Sequence, residues 1–241
     1  MLALICPVYN EAENIGPLMD ALAQGVRVPT ELSIVYDFEE DTTLPVVRRR
    51  MDDFPMPVRL RRNRYGHGVL GAVKSGLEEA QHSTAAAVIM GDLSDRLSDL
   101  NVMYALIEQG KYDVMCGSRY MRGGRQIGGP PLKRSLSRLA GLSLHALTGI
   151  PTHDATSNFK MYRGSFLAAN PIESVAGFEI GLELVVKAFV RGYRVGEVPT
   201  VWTDRVAGAS RFRLWHWMPH YLKWYAYAFR ALGRGARGNA A

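Results

Sequence analysis

Two carboxylates stand where an apolar run ends. In "AVIMGDLSD", Ala87 to Asp95, a strand-like stretch gives way to glycine and then to Asp92 and Asp95. Acids released at the carboxyl end of a buried strand suit a divalent cation or a nucleotide, because hard cations select carboxylate oxygen. Other polar side chains occupy comparable places. Tyr9, Asn10 and Glu11 follow "LALICPV", and Asp37 follows "ELSIVY".

The elements that must hold these residues alternate. "LALICPVY", "ELSIVYDF", "VRLRRN", "AAAVIMGD" and "YDVMCGSRY" read as buried strands. Amphipathic stretches lie between them: "EAENIGPLMDALAQ", a helix containing "LPVVRRRM", "GVLGAVKSGLEEAQ" and "DLNVMYALIEQ". This rhythm predicts an α/β fold with a mostly parallel sheet flanked by helices. Ligands of such sheets bind beyond the carboxyl ends of the strands, where Tyr9, Asn10, Glu11, Asp37 and Asp92 all fall. In the second half, "LKRSLSRLAGLSLHALTGI" predicts a helix and "THDATSNFKMYRGSFL" a loop with a strand. "EIGLELVVKAFVRG" predicts a helix capped by Gly192, and "YRVGEVPTVW" one strand. The organisation expected is one catalytic domain over 1–211, an amphipathic aromatic and basic helix over 212–232, and a disordered tail over 233–241. That helix, "FRLWHWMPHYLKWYAYAFRAL", is too polar to span a bilayer and suits either a membrane interface or packing on the protein.

The 241 residues suffice for one large α/β domain, and the formal charge of +6 points to a phosphate-bearing partner or to a merely solvated surface. Cys6 and Cys116 are the only cysteines, which excludes a disulfide framework and a zinc cluster. The first residues carry neither a signal peptide nor a membrane span, so the expected location is cytoplasmic, peripheral at the membrane if the aromatic helix binds there. The basic residues are dispersed among separate motifs instead of forming a stripe, which argues against nucleic acid. A homo-oligomer is left open. No Gly-x-x-x-x-Gly-Lys loop is present, and no Gly-x-Gly-x-x-Gly follows the first strand.

Five separated segments, in order, resemble family 2 glycosyltransferases of the dolichol-phosphate mannose synthase type: "PVYNEAENI", "VIMGDLSD", "GSRYMRGG", "HDATSNFKMY" and "GFEIGLELVVKAFVRGYRVGEVPTVWTDRVAGASRF". The resemblance implies a glycosyltransferase A-type, Rossmann-like fold, a nucleotide-sugar donor, Mg²⁺ or Mn²⁺, and inversion at the anomeric carbon. Pro7, Tyr9, Asn10 and Glu11 would then line the nucleotide site, Asp37 would accept hydrogen bonds from the base, and the Gly66 turn and Gly91 would form walls. Asp92 would bind metal, with Ser94 at the place of a further polar ligand and Asp95 as a substitute for the missing first acid, whose position Met90 takes. Arg119, Arg134, Arg205 and Arg211 would surround the diphosphate and the acceptor, where guanidinium gives bidentate, permanently charged contacts.

The implied activity is transfer of one hexose or N-acetylhexosamine from a GDP- or UDP-sugar, with a polyprenyl phosphate favoured as acceptor. A phosphate acceptor is largely ionised at neutral pH and needs no base. A soluble or carrier-tethered acceptor is the alternative, and for a hydroxyl or amine Asp154 and Asp95 are the candidate bases. A nucleotide-binding protein that has lost catalysis is the alternative of another class. Two departures motivate this last alternative: "YDFEEDTT", with Tyr36, replaces the family's Asp-Asp-Gly-Ser turn, and Met90 replaces the first acid of the metal motif; Asn158 also stands in for the glycine of Asp-x-Thr-Ser-Gly-Phe. The Gln-x-x-Arg-Trp signature of processive synthases is absent.

Overall fold

The computed structural model describes residues 1–204 and 214–232, without the side chains of 214–217. Its central sheet has seven strands. β1 (Leu2–Pro7), β2 (Thr30–Tyr36), β3 (Val58–Arg62), β4 (Ala85–Val88) and β5 (Val114–Ser118) come from the first half. β6 (Arg125–Ile127) stands apart, and β7 (Lys160–Arg163), β8 (Val195–Pro199) and β9 (Val201–Thr203) follow. The sheet order is β3-β2-β1-β4-β7-β5-β8, and β6 pairs with β9 in a separate parallel ribbon. Only β7 runs antiparallel, wedged between β4 and β5.

Period-two alternation builds a core on each face. Leu2, Leu4 and Cys6 of β1 face one core with Leu32 and Ile34 of β2, while Ala3 and Ile5 face the other with Val35. The first core is covered by α1 (Ala12–Gly25), α2 (Thr43–Arg48) and α4 (Asp99–Glu108). α3 (Val69–Glu79), α5 (Pro131–Thr148), α6 (Gly164–Ala169), α7 (Ile180–Val190) and α8 (Leu214–Ala228) cover the second. Strands buried on both faces read as unbroken apolar runs, which is why the sequence announces them. Gly76 lets α3 approach β1 closely, since a Cβ there would run into Ile5.

Local chemistry sets the ends. α5 starts with Pro131 and ends at Gly149 in the left-handed conformation (φ 73°). α7 is followed by Gly192 at φ 81°, the expected glycine cap. "YRVGEVPTVW" does not form one strand. It breaks at Thr200 into β8, an edge of the main sheet, and β9, which joins β6. "GSFLAA" after β7 forms the short helix α6, where the sequence suggested only loop and strand.

The aromatic helix α8 packs on the protein with one face. Trp224 and Ala228 are buried against α7, and Tyr225 Oη donates to Ser143 Oγ of α5 at 2.9 Å. Beneath Trp224 the Lys187 ammonium lies 5.1 Å from the ring and 2.6 Å from Glu183 Oε1. Leu222, Phe229 and Leu232 on the other side are exposed, as are Leu132, Leu139 and Leu147 of neighbouring α5. None of the described helices is long and apolar enough to cross a membrane.

Candidate active site

The carboxyl ends of β1, β2 and β4 converge on one rim. Asn10 adopts φ 54°, and its N–H donates to both oxygens of fully buried Asp41 at 3.1 Å. Asp41 also accepts Thr43 N–H at 2.8 Å, so the turn after β1 is tied to α2. Tyr9 is exposed and meets Phe38 edge-on, with 5.5 Å between ring centroids. The thiol of Cys6, just before Pro7, is pushed up by burial and then by the charges of Glu11 and Asp92, which places both acids over the same strand end. Gly91 lies against Glu11, whose Cγ would be 3.5 Å from an added Cβ.

Asp37 is buried, and both its oxygens are engaged. Oδ1 accepts Asn63 Nδ2 at 2.7 Å and Oδ2 accepts Gly68 N–H at 2.8 Å. It fixes the glycine turn that contains Gly66 (φ 87°) as a wall before it meets any ligand.

The acid loop is strained. Leu93, between Asp92 and Ser94, has φ 57°, a region in which a branched side chain is rare. Asp92 Oδ1 accepts Ser94 N–H at 3.2 Å, Ser94 C=O accepts Thr203 N–H at 2.8 Å, and Asp95 bridges Trp202. The β6–β9 ribbon thus clamps the loop from outside the main sheet. Asp92 and Asp95 line an open cleft of about 340 Å³, together with Arg119, Lys133 and Arg134. Ser94 does not line it, and its buried Oγ meets no hydrogen-bond partner among the described residues.

Electrostatics distinguish the acids. The carboxyl of Asp95 is raised to about 7, first by burial and then by the charge of Asp92, with Arg119 opposing. No described donor forms a hydrogen bond to it. Asp95 feels the charge of Asp92 despite the cations in the cleft, and two carboxylates plus substrate phosphate and water are what Mg²⁺ and Mn²⁺ commonly accept. The residues therefore fit such an ion. No group of three or more His, Cys, Asp or Glu side chains suited to a metal occurs among the described residues.

Asp154 is not a base. It is fully buried, and it accepts Arg119 N–H at 3.0 Å, Nε at 2.7 Å and, through Oδ1, Nη2 at 2.9 Å. Burial alone would raise its pKa, but the Arg119 charge and hydrogen bonds outweigh that and hold it below the usual range. Arg119 stays charged for the same reason. Its Nη2 also donates to Ser137 Oγ at 3.1 Å, and Ser137 in turn meets Tyr120 Oη and Thr156 Oγ1. Lys160, buried in β7, donates to the carbonyls of Ala155 and Ser157 and so holds the Asp154–Asn158 loop from below.

Arg205 and Arg211 lie outside the described residues. Sequence reasoning did not single out Trp202, Gln126, Phe178 or Tyr221, all of which line the cleft. The only signal for Trp202 was its place at the end of the predicted strand "YRVGEVPTVW". Tyr221 belongs to the aromatic helix, which brings Met218 and Tyr221 into the same cleft.

Residues 3–169 match the model of the glycosyl transferase family 2. The chain belongs to that family. A dodecaprenyl-phosphate galacturonate synthase of Rhizobium johnstonii is 26% identical over 214 residues, covering 88% of this chain and 61% of that protein. A polyprenol monophosphomannose synthase of Mycolicibacterium smegmatis is 26% identical over 212 residues, covering 86% of this chain and 79% of that protein. Among solved structures, glucosyl-3-phosphoglycerate synthase from Mycobacterium tuberculosis, in complex with Mn²⁺, UDP-glucose and phosphoglyceric acid, superposes with a TM-score of 0.64 at 16% identity, over 97% of this chain and 80% of that one. The fold is the glycosyltransferase A type, a mostly parallel seven-stranded sheet between helices.

Proposed function

We propose that this family 2 glycosyltransferase moves a single sugar, with inversion, from a UDP- or GDP-sugar to a polyprenyl phosphate at a membrane surface. The observation that carries this reading is the composition of one cleft. The acid pair Asp92 and Asp95 shares it with the cations Arg119, Lys133 and Arg134 and with an apolar set of Leu136, Ala140, Phe178 and Met218. Such a site accommodates two phosphate-bearing partners and a hydrocarbon beside one of them. The named relatives are synthases of polyprenyl-linked sugars, which agrees with that chemistry.

Asp92 and Asp95 would hold the divalent cation, which supplies neutralisation of the charge that develops on the leaving diphosphate. Arg119 contributes a fixed positive charge there, because Asp154 sets its orientation and keeps it ionised. Arg134 and Lys133 lie in the first turn of α5 and bind the second phosphate. That phosphate attacks the anomeric carbon opposite the leaving oxygen, so a single displacement inverts the centre, with oxocarbenium character as in glycoside hydrolysis. It is already anionic and needs no base. The surface agrees with a lipid acceptor: Leu132 and Leu139 of α5 and Leu222 and Phe229 of α8 are exposed near Lys223 and Arg230.

A soluble hydroxyl acceptor is the second reading. It is favoured by burial and the Asp92 charge, which raise Asp95 to about 7 with no metal bound, where a carboxylate serves as a base; in this reading Asp92 holds the cation without Asp95. A thermal-shift panel of UDP, GDP, CDP and dTDP, each with and without Mn²⁺, tests the donor site. One nucleotide is expected to raise the melting temperature, and more so with Mn²⁺. No shift with any nucleotide would refute the donor site.

A further inference from the structure

One side chain in the cleft is held on one side and unanswered on the other. Asn158, in the loop before β7, lines both the cleft and the narrow apolar hollow behind it, and Met90 lines both as well. Asn158 Oδ1 accepts the N–H of Gly181 at 3.1 Å. Gly181 is the second residue of α7, whose first N–H groups have no partner within the helix. The residue at the start of α7 does not serve that N–H. Glu179 turns its carboxylate to the N–H groups of Val175, Ala176 and Gly177, at 3.2, 2.8 and 2.6 Å. Asn158 thus caps α7 from a different segment. The fit is close, for any Cβ on Gly181 would collide with Asn158 Oδ1.

This contact settles the orientation of the amide. A backbone N–H is met only by an acceptor, so the oxygen faces Gly181 and the nitrogen faces away. No described residue accepts from Nδ2. Half-buried Asn158 therefore keeps two N–H donors on Nδ2, in a cleft wall that it shares with Met90, two residues before Asp92. Met90 stands one residue before Gly91 and has no polar group to offer a ligand. Asn158 is a neutral donor in that wall, next to the hydroxyls of Thr156 and Ser157.

We propose that Asn158 determines sugar specificity: Nδ2 donates a hydrogen bond to an oxygen of the transferred sugar while Oδ1 stays locked on Gly181. This rests on the glycosyl-transfer reading, since it is the acid pair at Asp92 and Asp95 that puts the diphosphate, and hence the sugar attached to it, beside this wall. A sugar whose nearest group is an acceptor oxygen is favoured, and one that presents only apolar or donor groups there is disfavoured, because it leaves the amide donor unmatched on the ligand side.

Asn158→Asp isolates the donor. The carboxylate keeps an acceptor for Gly181 N–H, and a negative charge at a helix N-terminus is favourable, so the lock on α7 survives. Asn158→Gly removes both functions. Calorimetry would compare UDP with UDP-glucose, UDP-N-acetylglucosamine and UDP-galacturonate, and GDP with GDP-mannose, in Mn²⁺ and without acceptor. The ratio of diphosphate to sugar-nucleotide affinity is the readout. In wild type at least one sugar nucleotide is expected to bind more tightly than its diphosphate. Asn158→Asp is expected to weaken that sugar nucleotide about tenfold or more and to leave the diphosphate within about twofold, a tenfold change being about 1.4 kcal/mol. Asn158→Gly should lose the same sugar preference, and it decides by the same ratio if the Asp variant does not fold. An unchanged ratio in the variants overturns the proposal, and so does equal weakening of diphosphate and sugar nucleotide, which is the mark of a structural role. Wild-type protein that binds no member of the panel refutes the donor site itself, and the assignment of Asn158 with it.

Discussion

Replacing Asp154 by alanine should damage the protein more than any exposed substitution, and the size of the effect follows from the site. Asp154 is fully buried, and the Arg119 side chain it pairs with is 12% exposed. Three donors of Arg119, its N–H, Nε and Nη2, converge on the carboxylate, and Ser157 N–H adds another at 3.2 Å. The substitution leaves a desolvated guanidinium without its carboxylate, with only Ser137, among the described residues, still hydrogen-bonded to it, which costs about 3–5 kcal/mol. At about 2–4 °C per kcal/mol for a chain of this length, the melting temperature should fall by roughly 6–20 °C at pH 7. Asp154 has a lowered pKa in the folded protein, so its contribution is fully present above the unfolded carboxyl value of about 4 and is lost as pH falls through the lower folded value. The gap between wild type and variant should therefore be constant from neutral pH down to about 5 and narrow only in stronger acid. Circular-dichroism melts across this range measure it. The double variant Asp154→Ala, Arg119→Met should recover part of the loss, since it removes the unpaired charge. A fall of less than about 2 °C at pH 7, or a double variant less stable than the single one, would refute the idea that Asp154 acts by holding Arg119.

The remaining predictions concern charge and surface. Asp95→Asn should stabilise the metal-free protein: the raised folded pKa means that stability falls as pH rises from about 4 to 7, so the gain should be largest above pH 7 and vanish below pH 4. Because Asp95 is partly exposed, about 1–2 kcal/mol is a fair ceiling, read from melts at pH 5 and pH 8 in a chelator. Full-length protein should co-float with anionic vesicles more than with neutral ones, and less as salt rises, with Leu222→Asp and Phe229→Asp reducing binding while leaving nucleotide binding intact. Turnover of a soluble acceptor without detergent, together with no vesicle binding, would exclude the lipid reading. Trp224→Ala should lower stability by about 3–5 kcal/mol, as loss of a buried indole does, because α8 rests on that ring; an exposed-like effect under 0.5 kcal/mol would mean that α8 does not pack there.

The first half of the fold was legible because its strands are buried on both faces. "LALICP" and "AAAV" have no polar residue to interrupt the pattern, and the helices between them carry clean apolar faces. β7 was harder to place. "KMYR" opens on a lysine that is nevertheless fully buried, and its antiparallel insertion between β4 and β5 depends on partners far away in the chain. The β6–β9 ribbon is three residues a side and has no periodicity to read. In the site, the type and order of Tyr9, Asn10, Glu11, Asp37 and Asp92 pointed to the strand ends where they lie. What the sequence did not convey is how they are oriented. Ser94 and Asp95 are neighbours, yet one is turned into the protein and the other lines the cleft, because Leu93 takes a left-handed conformation and β9 clamps the loop. Asp154 looked like a base until its partner in space, Arg119, 35 residues away, came into view.

The central claim is metal-assisted transfer of one sugar to a polyprenyl phosphate through the acid pair. Its most direct test is transfer of radiolabelled sugar from the nucleotide sugar that binds best into an organic-extractable polyprenyl phosphate, in Mn²⁺, with chelator and with Asp92→Ala and Asp95→Ala. A single labelled sugar per lipid is predicted, abolished by chelator and by Asp92→Ala and only reduced by Asp95→Ala. Label transfer that persists in chelator, or no transfer by a protein that binds its nucleotide normally, would contradict the account, and equal loss from the two substitutions would show that Asp92 is not the principal ligand.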